Sequence, residues 1–166
     1  MSDLKELMLR SPRLTLAVAE SLTCGRLQAR IGAVSGASEF FLGGVTAYSL
    51  DQKVRHLGVD RAVAESVNSV SAAVAEQMAR GACELFGADI AAATTGYAEA
   101  SPDWKVSTPF AWWALARREP RGGFALRSGR IDCPGLTRIA IQERVAEAAY
   151  DALLGWVRAP AAARTT

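Results

Sequence analysis

Short apolar segments that favour β-structure alternate along this chain with segments of helical periodicity, and this alternation constrains the fold more than any other feature. The segment TLAVAE at 15–20 predicts a buried strand, and DIAAATT at 89–95 predicts another. Between them, Ser71 is a good N-cap for a long amphipathic helix that Gly87 ends. Strands that alternate with helices indicate an α/β sheet with helices on both faces. We therefore expect a three-layer α/β/α sandwich that forms a single domain.

The remaining elements are predicted in the same way. Further helices are expected over 1–8, 25–34, 62–67 and 136–157, and further strands over 41–50, 110–116 and 123–132. We assign 1–160 to the domain and 161–166 to a disordered tail. Ligands of open α/β sheets bind beyond the carboxyl ends of the strands. The polar residues that follow the strands at 15–20 and 89–95 are therefore the first place to look for chemistry.

Composition excludes several classes of function. The 166 residues are 50% hydrophobic, and 19 basic against 17 acidic residues give a net charge of +2, without the basic stripe of a nucleic-acid binder. No apolar run approaches the roughly 20 residues that cross a bilayer, and residues 1–10 do not resemble a secretory signal. Three cysteines without a CxxC pair indicate neither a zinc site nor a disulfide framework. We expect a cytoplasmic protein without metal, cofactor, nucleic-acid partner or membrane contact.

The junction AESLTCG, at 19–25, can be interpreted in two ways. Ser21 or Thr23 could simply cap the following helix through its hydroxyl group. Alternatively, free amides at the helix start, with Thr23 and Gly25, could cradle an anion such as a phosphate. Ser21 would then be a nucleophile beside the bound group.

A nucleophilic serine needs a base near neutral pH. The only histidine, His56, follows Arg55 in a segment that we expect to be solvated, which argues against a Ser-His-Asp triad. Lys53 is the other candidate, with Tyr48 five residues before it, because a desolvated lysine has a lowered pKa and can accept a serine proton. From residue types alone, a surface lysine on a turn is the preferred interpretation of Lys53.

Three ungapped blocks resemble the family of the CinA C-terminal domain, whose members include nicotinamide mononucleotide deamidase. The blocks are AESLTCG at 19–25, GASEFFLGGVTAYSLDQKVRHLGV at 36–59 and VSAAVAEQMARGACELFGADIAAATTGYA at 70–98. The resemblance runs from about residue 14 to residue 98 and resumes weakly in WWALA and in the last predicted helix. It implies an amidohydrolase that converts the carboxamide of nicotinamide mononucleotide into the acid and ammonia, without metal or cofactor.

The resemblance also implies residue roles. In the family the serine attacks the amide, the lysine is the base and the tyrosine lies nearby, which corresponds here to catalytic residues Ser21, Lys53 and Tyr48. The predicted substrate-binding residues are Glu20, Thr23, Gly25, Thr95, Gly96 and Arg138. We expect a small-molecule nucleotide substrate and a homo-oligomer.

This sequence departs from the family pattern at several positions. Cys24 replaces a glycine of the first block, and Glu99 and Ala100 replace glycine and proline after the TG motif. Glu99 would bring a negative charge towards a phosphorylated substrate. Either the catalytic residues persist with an altered substrate preference, or the chain is a degenerate paralogue that binds a nucleotide-like ligand or a protein without hydrolysis.

Several other positions leave their roles open. Pro109 and Phe110 stand where the family has glycine and threonine, and Gln142 replaces the second arginine of the last helix, with Arg144 two residues later. Cys24 could be a reactive thiol at a helix start or a passive residue. The tryptophans could form a stacking surface for a base or could belong to the core. They are Trp104, Trp112 and Trp113.

Overall fold

A mixed five-stranded sheet lies at the centre of the protein, in a computed structural model that describes residues 4–159. The strands are β1 (Leu16–Glu20), β2 (Phe41–Thr46), β3 (Ile90–Gly96), β4 (Phe110–Arg118) and β5 (Phe124–Asp132). Their order is β2-β1-β3-β4-β5, with β1 parallel to β2 and β3, and with β4 antiparallel to β3 and β5. All five residues of β1 are buried, as the apolar run at this position predicts for a central strand.

Helices cover both faces of this sheet. They are α1 (Leu4–Leu9), α2 (Arg26–Gly32), α3 (Leu50–Leu57), α4 (Arg61–Ser66), α5 (Ala72–Phe86) and α6 (Arg138–Arg158). One core cluster joins α3, α4 and α5 to alternate residues of the central strands, and a second joins α1, α2 and α6 to the residues between them. The predicted three-layer α/β/α architecture is confirmed.

The long helix α5 begins and ends as its sequence predicts. The Ser71 side chain accepts a hydrogen bond from the Val74 amide, and Gly87 follows the helix with a φ of 66°. Small residues then let this helix pack closely. A Cβ atom on Gly81 would lie 2.1 Å from the carbonyl oxygen of Leu57 at the end of α3. Glycine is therefore required where α3 crosses α5, and this crossing fixes the position of α3.

The second predicted strand, 41–50, is too long. Strand β2 ends at Thr46, and the chain turns through Tyr48 and Ser49 into α3, a helix that the sequence prediction missed. The reason is the composition of the helix face that packs inwards. Lys53 and Leu57 are its buried residues, and a lysine on that face interrupts the apolar periodicity by which a helix is recognised.

The other predicted elements are present with shifts of a few residues at their ends. Residues 1–3 of the predicted first helix and the tail 161–166 lie outside the described residues. None of the helices in the described part of the chain is both long and apolar enough to cross a membrane.

Candidate functional site

Ser21 lies directly beyond the carboxyl end of β1, where the parallel part of the sheet ends. Its amide donates a hydrogen bond to the carbonyl oxygen of Thr94 at 3.0 Å, which continues the pairing of β1 with β3 by one residue. The side chain is buried but not sealed off, because Ser21 is among the residues that line a cleft of about 460 Å³. The sheet therefore holds this hydroxyl group at a fixed point of the cleft floor.

The turn after Ser21 is built around the buried carboxylate of Glu20. Its oxygens accept hydrogen bonds from the amides of Gly25 at 3.1 Å, Leu27 at 3.1 Å and Gln28 at 2.8 Å, and from the Thr23 hydroxyl at 2.5 Å. A buried carboxylate needs such donors, and the start of a helix supplies them. Glu20 is thus the anion that the first turn of α2 binds.

This arrangement corrects two expectations for the junction. Gly25, with a φ of 95°, is the N-cap residue of α2, and neither the Ser21 nor the Thr23 hydroxyl caps the helix. The amide of Gly25 is not free to cradle a phosphate, since Glu20 already accepts its hydrogen bond. Glu20, Thr23 and Gly25 also lie outside the lining of the cleft. Predicted as substrate-binding residues, they instead fix the backbone that carries Ser21.

Lys53 is not a surface lysine on a turn, because it belongs to α3 and is only 2% exposed. Its Nζ atom lies 3.0 Å from Ser21 Oγ and 2.8 Å from the carbonyl oxygen of Tyr48. The predicted proximity of Ser21 and Lys53 is confirmed. Burial in an apolar layer disfavours the charged form of the amine and lowers the pKa of Lys53 from 10.5 to about 8.

Thr95 and Gly96 lie at the end of β3 and form another wall of the same cleft. The Thr95 hydroxyl donates a hydrogen bond of 2.7 Å to the carbonyl oxygen of Ser69. Asn68 and Ser69 both adopt positive φ values, of 49° and 61°, in the loop between α4 and α5. The β3 strand thus holds this loop over the cleft. As predicted, Thr95 converges with Ser21 and Lys53 on one site.

Tyr48 lines the same cleft, as predicted, and contacts two other residues of the site through two different groups. Its carbonyl oxygen accepts from Lys53, whereas its hydroxyl group accepts a hydrogen bond of 2.8 Å from an Arg138 nitrogen at the mouth of the cleft. A second nitrogen of Arg138 forms an ion pair with Glu99. These hydrogen bonds raise the pKa of Arg138, with Glu99 the largest cause. The predicted substrate-binding arginine therefore lies at the cleft, with both nitrogens engaged.

The remaining candidate residues lie elsewhere. Trp112 packs against the core cluster on one face of the sheet and Trp113 against the cluster on the other, so these adjacent residues of β4 form no common stacking surface. Trp104 is outside the cleft lining, and Cys24 is exposed with a φ of 50°. Gln142 is buried in α6. His56 is bonded to Gln52 on the exposed face of α3, as expected of a solvated residue.

Sequence reasoning missed the part of the cleft that the 68–70 loop supplies. The cleft is lined here by Asn68, Ser69 and Val70, and the side-chain amide of Asn68 donates a hydrogen bond of 3.2 Å to the Tyr97 hydroxyl. The only local signal was the short polar stretch between two helices, which is typical of any connecting loop. Tyr97 follows the TG motif and packs on Phe110 with ring centroids 5.4 Å apart.

Chemically, the site offers a hydroxyl group beside an amine of lowered pKa. When neutral, the Lys53 amine can accept the proton of Ser21 across their 3.0 Å contact, which makes the serine oxygen a nucleophile. The open side of the cleft leaves space for a substrate next to that oxygen. The arrangement suits acyl transfer through a covalent serine ester.

Comparisons with known proteins agree on one family. The family model described as the CinA C-terminal domain matches residues 2–157 of this sequence. A CinA-like protein of Chlorobium limicola is 43% identical over 145 residues, which is 86% of this chain and 33% of the relative. The chain thus spans about a third of the length of the curated relatives it matches.

Solved structures give the same result. The competence damage-inducible protein A of Klebsiella pneumoniae superposes with a TM-score of 0.78 at 29% identity, over 90% of both chains. A CinA superfamily protein of Klebsiella pneumoniae 700603 also gives a TM-score of 0.78, at 28% identity, over 95% of this chain and 99% of its own. The chain belongs to the CinA C-terminal domain family.

Proposed function

We propose that this protein is an amidohydrolase that converts the carboxamide of nicotinamide mononucleotide, or of a structurally related compound, into the acid and ammonia. Membership of the CinA family supports this class of activity. The observation that carries the proposal is the 3.0 Å contact between Ser21 Oγ and the buried amine of Lys53. The three free cysteines are compatible with action in the cytoplasm.

The reaction begins with the neutral form of Lys53. Ser21 Oγ attacks the carboxamide carbon while its proton moves to Lys53 Nζ, and a tetrahedral intermediate forms. When the intermediate collapses, the Lys53 ammonium group returns the proton to the departing nitrogen, which leaves as ammonia. The acyl group is then held as an ester on Ser21.

Water completes the cycle. A water molecule attacks the ester carbon and gives a proton to Lys53, which passes it to the departing Ser21 oxygen, so the acid is released and both residues return to their starting states. The Tyr48 carbonyl oxygen keeps the lysine amine in place throughout, since it accepts from the same nitrogen at 2.8 Å. Thr95 and Gly96 line the same cleft, where they would help to position the amide.

Ammonia release from purified protein tests the proposal. Wild type should release ammonia from nicotinamide mononucleotide or from a related pyridine amide, and Ser21→Ala should reduce this release by at least about a thousandfold. Ser35→Ala, which removes an exposed hydroxyl group outside the cleft, should leave the rate unchanged. Electrospray mass spectrometry of rapidly quenched wild type should detect the acyl ester, and Ser21→Ala should lack it.

The competing hypothesis is a degenerate paralogue that binds without hydrolysis. The ion pair between Glu99 and Arg138 favours it, because both residues line the cleft and the pair occupies the arginine that a phosphorylated substrate would contact. If wild type and Ser21→Ala bind the same ligand equally and neither releases ammonia from any amide tested, this second hypothesis replaces the first.

A further inference from the structure

We propose that Glu99 determines the substrate class, by pairing with Arg138 so that the cleft prefers carboxamides that carry no phosphate group. The favoured substrates are then pyridine N-glycosides or smaller pyridine amides rather than nucleotides. This inference rests on the proposed amidohydrolase function and narrows it.

The charges of the cleft support a phosphate-free substrate. Among the described residues that line it, the charged side chains are Lys53, Glu99 and Arg138. Lys53 lies on the floor and is bonded to Ser21 and to the Tyr48 carbonyl oxygen. Arg138 is therefore the cation at the mouth, and one of its nitrogens pairs with Glu99 while another donates to the Tyr48 hydroxyl.

Glu99 cannot easily move away from this position. The residue before it, Ala98, is buried in a small core cluster under the cleft. Two residues before it, the Tyr97 amide donates to the Phe110 carbonyl oxygen at 2.8 Å, and the Tyr97 ring packs on Phe110. The backbone that leads into Glu99 is thus anchored to β4, and this anchor keeps the residue at the cleft when its side chain changes direction.

A phosphate that approached Arg138 would meet two obstacles. It would first have to replace Glu99 and Tyr48 as hydrogen-bond partners of the guanidinium group. The exposed ion pair is weak enough to break. The displaced carboxylate would nevertheless remain tethered beside the doubly charged phosphate, and like charges at such short range repel each other. A substrate without a phosphate meets neither obstacle, because it leaves the ion pair intact.

The ion pair also narrows the mouth of the cleft. Arg138 connects Tyr48 on one side with Glu99 on the other, so the three side chains form a hydrogen-bonded strap across the opening. Tyr48 is 53% exposed, which puts its ring at the rim, where it can contact a pyridine or sugar ring. The strap therefore offers a polar surface without net charge to the part of the substrate that lies at the mouth.

The test compares two probes that differ only in a phosphate, nicotinamide mononucleotide and nicotinamide riboside. For wild type, we expect kcat/KM for ammonia release to be at least about tenfold higher with the riboside. Glu99→Gln should raise kcat/KM for the mononucleotide about tenfold and change that for the riboside less than about twofold. Adding Arg138→Ala to Glu99→Gln should abolish this gain, since it removes the cation that the phosphate would contact.

Two controls make the outcome specific. Glu65→Gln removes one exposed carboxylate from an ion pair on α4, at a residue that does not line the cleft, and should alter neither rate. Calorimetric binding of both probes to Ser21→Ala measures the preference without catalysis. If wild type releases no ammonia from either probe, the proposed function fails, while the binding preference still tests the role of Glu99. A wild-type preference for the mononucleotide, or an unchanged ratio in Glu99→Gln, would overturn the inference.

Discussion

Lys53 Nζ lies 3.0 Å from Ser21 Oγ, although 32 positions separate the two residues in the chain. Ser21 is held by the end of a strand and Lys53 by a short helix on one face of the sheet. Within residues 4–159, the hydrogen bonds of this pair include no further side chain that could form a charge relay, and the other contact of Lys53 is the backbone carbonyl oxygen of Tyr48. The reactivity of the pair thus depends on how far burial favours the neutral amine.

The first prediction concerns the pH dependence of ammonia release. The pKa of Lys53 is about 8, and the base must be neutral, so only about a tenth of the enzyme is competent at pH 7. We expect kcat/KM to rise roughly tenfold per unit of pH below this value and to level off above it. A rate profile from about pH 6 to about pH 9.5 checks this. A profile that is flat or falling between about pH 6 and 8 would rule out Lys53 as the base.

The second prediction concerns the stability cost of burying Lys53. Its pKa is lowered in the folded state, so between about pH 8 and the ordinary value of 10.5 the unfolded chain binds more protons than the folded one. The free energy of unfolding of wild type should therefore rise with pH through this window. The loss of stability caused by burying the Lys53 amine should be fully present below about pH 8. Lys53→Met removes the buried amine, and we expect it to be inactive but more stable at pH 7 by about 1–2 kcal/mol.

Urea unfolding at pH 7 and near pH 10 measures this effect. The advantage of Lys53→Met should shrink at the higher pH, since the folded protein then holds a neutral amine and the unfolded amine, close to its own pKa of 10.5, loses its proton at little cost in free energy. Lys105→Met, at an exposed position, should change stability by less than about 0.5 kcal/mol at either pH. A Lys53→Met variant that is less stable than wild type at pH 7 would contradict the prediction.

A third prediction concerns Glu20. Its carboxylate accepts hydrogen bonds from three backbone amides at the start of α2 and from the Thr23 hydroxyl. A glutamine at this position would have only one oxygen to accept these hydrogen bonds. We expect Glu20→Gln to destabilise the protein by about 2–3 kcal/mol, measured as a shift of the urea midpoint. Glu119→Gln, at an exposed position, is the matched control. Equal stabilities of the two variants would refute the structural role of Glu20.

The fourth prediction tests the packing that positions Lys53. A Cβ at residue 81 would lie 2.1 Å from the Leu57 carbonyl oxygen, so Gly81→Ala must push α3 away from α5. We expect a loss of about 1–3 kcal/mol in stability together with a lower kcat, because α3 carries Lys53. In Gly155→Ala, where a Cβ atom meets nothing within 4 Å, the same change in a helix should stabilise by up to about 1 kcal/mol. Normal activity in Gly81→Ala would show that α3 tolerates displacement.

Much of the fold could be predicted because its signals are local. Ser71 and Gly87 lie at the two ends of a periodic segment, and the helix between them forms where expected. The apolar runs at 16–20 and 90–96 are strands for the same reason, since each is short and nearly devoid of charge. Helix α3 escaped prediction because its inward face carries a lysine, and a periodicity argument cannot know that a charged residue will be buried.

At the site, residue types and the family resemblance led to Ser21, Lys53 and Thr95, which do meet in one cleft. The amide cradle at Gly25 was wrong because no local pattern indicates that Glu20, at the end of a strand, turns back onto the helix that follows it. The loop residues Asn68 and Ser69 have no chemical signature of their own. They reach the cleft because Thr95 bonds to the Ser69 carbonyl oxygen, a contact between residues 26 positions apart.

The sequence by itself determined the alternation of strands and helices, the strand end at which Ser21 emerges and the family to which these blocks belong. These properties follow from short-range periodicity, capping residues and motif spacing, which are signals carried by residues close together in the chain. Only the tertiary structure decided that Lys53 is desolvated beside Ser21, that Glu20 occupies the start of α2 and that Glu99 neutralises Arg138. Each of these depends on burial and on distances between segments remote in the chain, and such distances are set by packing rather than by local residue order.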